Sequence, residues 1–346
     1  MSVKILTVGD LHCKSDNINN VVSLTNQLKE ILINENPDAL VFLGDQLNDH
    51  SRIDSDSFST LTTCLQELLP LTPELIILVG NHCLVNNNLF LSNRHPYNSF
   101  KLWPKTTIVD DVITKEINGQ KFLFSCYVPN NRFMEALETK NLKIPLEGYT
   151  AVFAHHEFTG TDINNITKSK TDTWSEDAPY MISGHLHSYQ QPQKNLYYPG
   201  VPFQHSFNDS LLRTISIFKF SKEEDNVLPN IIEKRIELDI EKKFTLHLTV
   251  EELSKYELPP NCTVKLKVKG EISEIREVRK LKNVLELEKS GKVKIVEINE
   301  SKKDKEKVIL NSFKIKTPFI KRVHKKIRKE EDEIKDIFND LFDTNL

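Results

Sequence analysis

Short polar motifs containing aspartate, asparagine and histidine follow five apolar runs of this chain. The runs VKILTVG, ALVFLG, ELIILVG, TAVFA and YMISG lead into DLH, DQLND, NHC, HHEF and HLH. Carboxylate, amide oxygen and imidazole donors suit divalent cations such as Mn²⁺. Two such cations about 3.5–4 Å apart can clamp the attacking and leaving oxygens of a phosphodiester. The motifs therefore predict a two-metal centre that hydrolyses phosphate esters.

Seven side chains in these motifs are candidate metal ligands. Alternate residues of an extended chain point the same way, so an acid and an imidazole two residues apart can face one ion. A carboxylate with two oxygens can bridge two ions, and an amide oxygen adds a donor without adding charge. The candidates are Asp10, His12, Asp45, Asn81, His155, His185 and His187.

Each motif alone is a weak signal. A single D-x-H or H-x-H pair is more often a surface loop or a core histidine, and the glycines could serve only for tight turns. The ordered set of D-x-H, GD, GNH, H and GHxH, each after an apolar strand, is far more specific. A shift of one residue turns a side chain to the other strand face, so we favour His155 as the ligand and place His156 behind it. Cys13 and Cys83 are expected to pack, because thiolates suit a hard-metal site poorly.

The apolar runs also predict the elements that must position these motifs. Strands buried on both faces alternate with helical periodicity up to about residue 200, which indicates a layered α/β domain. Open α/β sheets bind ligands at the carboxyl ends of their strands. We expect a catalytic domain over residues 1–240 and a small α+β lobe over residues 241–300, in which strands flank one helix. Residues 301–346 are predicted to form a linker and an amphipathic helix that binds a partner or packs back on its own domain.

Bulk composition limits the function classes only loosely. The chain has 27% charged residues, 38% hydrophobic residues and a formal net charge of -3, so net charge does not decide for or against a nucleic acid partner. No run approaches the roughly 20 apolar residues that cross a bilayer. The beginning of the chain shows no leader pattern, and the five cysteines lack C-x-x-C spacing. We expect a soluble cytoplasmic protein with reduced thiols and no membrane partner.

The ordered motifs resemble those of the calcineurin-like metallophosphoesterases over residues 1–209. That resemblance implies two sheets flanked by helices. It also implies one metal on Asp10, His12 and His187, a second on Asn81, His155 and His185, and Asp45 bridging them. His82 would not bind metal, but would orient the phosphate or protonate the leaving oxygen.

The motif details resemble one branch of that superfamily. GDQLND and GNHC differ from the GDxxDRG and GNHE of the phosphoprotein phosphatases. Two stretches resemble motifs of SbcD-type DNA-repair nuclease subunits, including those of T-even-like phages. They are GHLHSYQQPQKNLYYPGVPFQHSFND and HHEFTG. This resemblance implies a DNA endonuclease and exonuclease that uses Mn²⁺, or else Mg²⁺, in recombination and double-strand-break repair. It also implies a homodimer, a lobe that grips DNA, and a C-terminal helix bound to an SbcC-type coiled-coil ATPase.

Two positions depart from that branch. Asn48 stands where the family often has a histidine linked to exonuclease action on duplex ends, and His50 is nearby but not equivalent by spacing. Val201 replaces the serine of the Y-x-G-S turn. The preference between duplex ends and single strands therefore stays open.

Basic residues near the cleft and in the lobe are candidate DNA contacts, although interleaved lysine and glutamate are also typical of solvated faces. The candidates are Arg94, Arg132, Lys267, Lys269, Arg276 and Arg279.

Two functions other than a DNA nuclease stay open. A small-molecule or cyclic-nucleotide phosphodiesterase would need neither the lobe nor the C-terminal helix, and a binding subunit with a silent metal site is disfavoured by the complete ligand set.

Overall fold

The computed structural model describes residues 2–163, 166–167, 171–221 and 229–299. Within these ranges the helices and strands are, in order, β1 (Ser2–Val8), α1 (Ile18–Glu35), β2 (Ala39–Phe42), α2 (Ser55–Leu68), β3 (Leu75–Leu78), β4 (Thr106–Val109), β5 (Val112–Ile117), β6 (Gln120–Ser125), α3 (Phe133–Glu138), β7 (Tyr149–Ala154), β8 (Asp162–Ile163), β9 (Ile166–Thr167), β10 (Tyr180–Ser183), β11 (Gln190–Gln193), β12 (Leu196–Tyr198), β13 (Thr214–Ser221), β14 (Asn230–Glu237), β15 (Lys242–Thr249), α4 (Val250–Ser254), β16 (Cys262–Gly270), α5 (Ile272–Val278), α6 (Lys282–Lys289) and β17 (Val293–Asn299). Short 3₁₀ segments cover Leu69–Leu71, Asn81–Cys83 and Pro96–Leu102.

Two six-stranded mixed sheets form the centre of the fold. The first has the order β14-β13-β1-β2-β3-β4, and the second has the order β11-β12-β10-β7-β6-β5. Strands β1 to β4 run parallel, as do β6, β7, β10 and β12. The predicted layered α/β fold is confirmed, with two mixed sheets flanked by helices.

The two sheets pack face to face through alternate side chains of their strands. Val3 and Ile5 of β1 meet the aromatic side chains Phe122 and Phe153 of the second sheet in one buried cluster. The opposite face of the first sheet, with Leu6 and other buried residues, packs against α1 and α2. Strands buried on both faces read as continuous apolar runs, which is why the sequence identified them.

Local signals fix the ends of the two large helices. The side chain of Asp54 accepts a hydrogen bond from the Ser57 N–H and caps α2. Helix α1 ends at Glu35 and is followed by Asn36, which has a left-handed φ of 44° and precedes Pro37. Asn tolerates that conformation, and proline cannot continue a helix, so the Asn36-Pro37 pair ends α1.

The described part of the chain divides into two compact units. The first contains residues 1–244 and 260–263, whereas the sequence suggested a boundary at residue 240. The described residues of the second unit, 245–259 and 264–299, are called the lobe below. Its three-stranded sheet has the order β15-β16-β17. The predicted linker and C-terminal helix at 301–346 lie outside the described residues.

The lobe differs from its prediction in two ways. Helix α4 (Val250–Ser254), which lies between β15 and β16, was not predicted. The single helix expected across Ile272 to Leu285 is two helices, α5 and α6, separated at Leu281, whose ψ of 140° is extended. Ile275 and Val284 are both fully buried. At about 100° per residue, nine residues would place them on opposite sides of a continuous helix. The break lets both side chains face the core of the lobe.

Among the helices of the described residues, none combines the length and the apolar character needed to span a membrane.

Candidate metal centre

The seven predicted ligands converge at the carboxyl ends of strands from both sheets. Asp10 and His12 follow β1, Asp45 follows β2, and Asn81 begins the 3₁₀ turn after β3. The remaining three follow β7 and β10 of the second sheet. Two groups made up only of predicted ligands have ligand atoms within 4.8 Å of one another, namely Asp10 with His12 and His187, and Asp45 with His155 and His185. The structure thus brings together residues that are far apart in the chain.

The first group is built around His12. Its Nε2 lies 3.1 Å from the Nε2 of His187 and 4.0 Å from the Oδ2 of Asp10. The Oδ2 of Asp45 is 3.9 Å from the same nitrogen. Three or four donor atoms therefore surround one point, which is the arrangement that a small cation requires.

The second group is built around Asn81 and shares Asp45 with the first. The Oδ1 of Asn81 lies 3.0 Å from His155 Nε2 and 2.9 Å from His185 Nδ1. Asp45 Oδ2 is 3.3 Å from His155 Nε2. The same carboxylate oxygen thus approaches both groups, so Asp45 occupies the position that a bridging ligand would need.

Several donor atoms of the two groups face one another as hydrogen-bond acceptors, an arrangement that suits a bound cation. His155 Nδ1 donates to the backbone oxygen of Leu43 at 2.8 Å, which leaves a lone pair on Nε2 when the ring is neutral. That lone pair faces the oxygens of Asn81 and Asp45, and three acceptors at this range repel unless a proton or a cation lies between them. Nδ1 of His12, also buried, has no hydrogen-bond partner in the part of the chain that the structure describes.

Burial and charge set the ionisation of this cluster. Burial lowers the pKa of His12 and His187, and lowers that of His185 to about 3, which keeps these imidazoles neutral and able to bind metal. Burial raises the pKa of Asp10 to about 7. Burial also opposes the charge of His155, but Asp45 and Asp10 outweigh it and raise the pKa of His155 to about 9.

Three of the predicted ligands have unusual backbone conformations. The φ angles of His12, Asp45 and His185 are 43°, 52° and 76°, in the left-handed region. A residue other than glycine rarely adopts this region, and the strain persists only where surrounding structure holds it. These three residues are therefore held in place against an intrinsic backbone preference.

The glycines of the motifs make room for the ligands. A Cβ on Gly44 would lie 2.1 Å from His155 Nδ1, and a Cβ on Gly80 would lie 2.2 Å from Asp45 Oδ1. The alternative that these glycines serve only for turns is therefore incomplete, because each allows a ligand side chain to approach its backbone.

Comparisons with known proteins identify the family of this chain. Residues 3–189 match the family model described as calcineurin-like phosphoesterase. The chain belongs to this family. It is 34% identical to "Putative phosphoesterase 244L" of Invertebrate iridescent virus 6 over 283 residues, 81% of this chain and 99% of that protein. It is also 39% identical to "Putative phosphoesterase 078R" of Invertebrate iridescent virus 3 over 214 residues, which span 62% of this chain and 61% of that protein.

In this calcineurin-like chain, His82 is fixed beside the ligands. Its backbone N–H donates to Asp45 Oδ1 at 2.8 Å, and its Nδ1 donates to the backbone oxygen of Asn48 at 2.6 Å. The ring lies edge-on to His12, with centroids 4.7 Å apart. His82 can also form a candidate ligand group with His12 and Asp45. Because Nδ1 is occupied, Nε2 is the nitrogen that remains for a substrate or an ion.

Three residues close to the ligands in sequence lie outside the ligand groups, namely His156, Cys13 and Cys83. His156 points away from the cluster, and its Nε2 lies 2.8 Å from Asp172 Oδ2 among aromatic side chains. Cys13 and Cys83 are buried, and burial raises the pKa of each thiol to about 12. Neither thiol is a reactive group at neutral pH.

Three residues near the centre were not assigned to it from the sequence. His205 Nε2 donates to the backbone oxygen of Asp10 at 3.1 Å, and its ring lies 5.1 Å from those of His12 and His187. Glu157 Oε2 lies 3.9 Å from His185 Nε2. His50 stacks on His82. Glu157 lies within the HHEF motif, two residues after the predicted ligand His155, but its role was not predicted. Neither His205 nor His50 directly follows an apolar run, so motif spacing gave no signal for these two.

The candidate DNA contacts lie outside the ligand groups. Arg132 forms a two-pronged pair with Glu135 and stacks over Phe90. Arg279 pairs with Glu288 and Glu297. Lys267 and Lys269 lie on the face of β16 opposite its buried residues. Arg276 lies in α5, and Arg94 lies in the loop before the third 3₁₀ segment.

Proposed function

We propose that this protein is a metal-dependent phosphodiesterase that hydrolyses DNA, as the nuclease subunit of an SbcCD-like complex for recombination and double-strand-break repair. The observation that carries the proposal is the shared position of Asp45 between two groups of ligand atoms. Family membership supports the hydrolysis of phosphate esters. The HHEFTG motif after β7 and the presence of the lobe support DNA as the substrate.

The donor set supports two divalent cations, with Mn²⁺ favoured over Mg²⁺. Imidazole suits transition metals, whereas Mg²⁺ prefers oxygen donors and retains water. Asp10, His12 and His187 would hold one ion, and Asn81, His155 and His185 would hold the other, with Asp45 between them. When bound, such a pair acidifies water and neutralises charge on the phosphate.

The residues of the chain supply orientation and one proton donor. Asp45 anchors the backbone of His82, and the Asn48 carbonyl fixes its Nδ1, so Nε2 is directed to the substrate side. An imidazole held this way can protonate the oxygen of the departing nucleoside, a contribution of about 10²–10⁴ in rate. The surrounding structure holds the left-handed backbones of His12, Asp45 and His185, so these ligands are positioned before substrate binds.

The proposed activity is tested with labelled duplex and single-stranded DNA in the presence of Mn²⁺ or Mg²⁺. The proteins to compare are wild type, Asp45→Ala, His82→Ala and the control His247→Ala, which changes an exposed histidine of the lobe. We expect cation-dependent cleavage by wild type and the control, and loss of cleavage in the other two. Cleavage that survives Asp45→Ala would overturn the two-metal mechanism, and hydrolysis of small diesters without DNA cleavage would favour the small-molecule alternative.

The partners are proposed on the same resemblance. Residues 301–346 would bind the coiled-coil root of an SbcC-type ATPase, and two nuclease subunits would form a homodimer. Co-purification of the ATPase with the full chain and with a chain lacking residues 311–346 tests the first point. Equal recovery of ATPase with both chains would reject it. Light scattering of the full chain tests the second, and a monomer at micromolar concentration would reject the homodimer.

A further inference from the structure

We propose that His50 is a positioning residue, which holds the imidazole of His82 in the plane from which its Nε2 meets the substrate. This inference rests on the proposed function and extends it. Two contacts of His50 carry it. Its ring stacks on that of His82 with centroids 4.6 Å apart and planes 20° apart, and its Nδ1 donates to the backbone oxygen of Asn81 at 3.0 Å.

The other contacts of His82 leave the tilt of its ring free, and His50 restricts this tilt. The hydrogen bonds of His82 hold its backbone and its Nδ1, but a single bond to a ring nitrogen leaves the tilt of the ring free. The edge-on contact with His12 supports one side. The near-parallel ring of His50 supports another, and stacked aromatic rings resist tilting because they lose contact area.

The segment after β2 therefore holds His82 through two of its residues. Asn48 accepts the hydrogen bond from Nδ1, and His50, two residues later, supplies the ring. The bond from His50 to the Asn81 carbonyl also ties this segment to a predicted ligand directly before His82. Displacement of the segment would thus move the proton donor relative to the phosphate.

The geometry assigns His50 an indirect role. Among the described residues, His50 is absent from the groups whose donor atoms could share an ion. Its Nδ1 is engaged with a carbonyl, and its ring face covers another side chain. A misplacement of about 1 Å at a reacting group can cost about 10² in rate, so a residue that only orients His82 can still affect turnover.

A double-mutant cycle tests this role. The proteins are wild type, His50→Ala, His82→Ala and the double variant, assayed with a dinucleotide whose leaving group is a nucleoside hydroxyl. We expect His50→Ala to lower kcat about tenfold with little change in KM, consistent with the loss of one aromatic stack. The double variant should be no slower than His82→Ala alone, because His50 acts only through His82. Additive losses would overturn the proposal.

Conservative variants separate the ring from the hydrogen bond. His50→Phe keeps an aromatic face without the Nδ1 donor, and we expect kcat within about threefold of wild type. His50→Asn keeps a donor without the ring, and it should be as slow as His50→Ala. The reverse order of these two variants would contradict a role for stacking.

A second substrate distinguishes positioning from general damage to the site. A p-nitrophenyl ester of thymidine 5′-phosphate releases nitrophenolate, which needs little protonation. His50→Ala should lose less than about threefold on this ester, whereas Asp45→Ala should lose nearly all activity. Equal losses of His50→Ala on both substrates would show a structural role only. If wild type and Asp45→Ala were equally inactive on both substrates, the proposed function itself would fail.

Discussion

At the metal centre Asp10 and Asp45 are each 1% exposed, whereas Lys280 and Lys282 of the lobe have side chains 69% and 92% exposed. The buried carboxylates each need fixed partners, since an unpaired charge away from water is costly. The exposed lysines form pairs that water can replace. The geometry of the first region therefore depends on the identity and direction of single atoms, whereas the exposed pairs of the second region can rearrange.

The two regions also differ in what their glycines do. Gly44 at the metal centre and Gly291 in the lobe both have positive φ, 115° and 71°. Only Gly44 has a ligand ring where a Cβ would stand. A matched pair of substitutions can therefore separate backbone strain from displacement of a ligand.

The largest effect is expected for Gly44→Ala. The new methyl group would force the His155 ring away from its bond to Leu43 O, so we expect a loss of diesterase activity of about 100-fold or more and loss of stabilisation by added Mn²⁺. Gly291→Ala has no atom within 4 Å of the added group and should cost only about 1–2 kcal/mol of backbone strain. Steady-state kinetics and urea unfolding with and without Mn²⁺ compare them. Equal activity in both variants would contradict the role of Gly44.

The pH dependence of metal binding sharpens the contrast, because cation binding requires deprotonated donors. In the metal-free protein Asp10 holds its proton below about pH 7 and His155 holds its proton below about pH 9. A cation must displace these protons, so its apparent affinity should rise as pH rises from 6 to 8, by about tenfold or more. Calorimetry in buffers of different ionisation enthalpy measures both affinity and released protons. An affinity that is constant or falls over this interval would contradict the assigned ionisation states.

The contrast explains how much the sequence could predict. Asp10, His12 and Asp45 were predicted because each follows an apolar strand at a fixed spacing, and strand ends of one sheet must meet. His205 and His50 come from loops whose path depends on tertiary packing, so their approach to Asp10 and His82 had no local signal. The left-handed φ of His185 was equally invisible, because residue type alone does not reveal strain.

The lobe shows the limit of periodicity. Strand β16 was predicted because Val264, Leu266 and Val268 alternate with polar residues. The helix after it was predicted as one element, since Ile275 and Leu285 fit one apolar stripe. Leu285 is 40% exposed, and Val284 is buried in its place. After the break between the two helices, the predicted buried position was therefore wrong by one residue. The place of this break depends on packing against the sheet, which the sequence pattern does not show.

A smaller effect, on DNA affinity, is expected when two lysines on one face of β16 are substituted. Lys267 and Lys269 project opposite Leu266 and Val268, which are fully buried. The double variant Lys267→Gln and Lys269→Gln should weaken DNA binding about tenfold at low salt and reduce the slope of log affinity against log salt by about 1 to 2. Hydrolysis of a small diester should be unchanged, because the lysines lie outside the ligand groups.

The control for this face is the double variant Lys280→Gln and Lys282→Gln, which removes the same charge from the helical side of the lobe. Filter binding across a salt series compares the two. Equal weakening by both variants would mean that DNA senses only the total charge of the lobe, and no weakening by either would remove the lobe from DNA binding.

The smallest effect is expected for Arg279→Ala. The guanidinium lies 2.6 Å from Glu288 and 3.0 Å from Glu297, but its side chain is 36% exposed, so solvent screens both pairs. We expect a loss of about 1 kcal/mol or less in the free energy of unfolding, measured in urea against Lys280→Ala as a control at a more exposed ion pair. DNA affinity should stay the same, because both carboxylates already occupy this cation. A loss of DNA affinity comparable with that of the lysine variant would show instead that the pairs open when DNA binds, and that Arg279 acts as the sequence suggested.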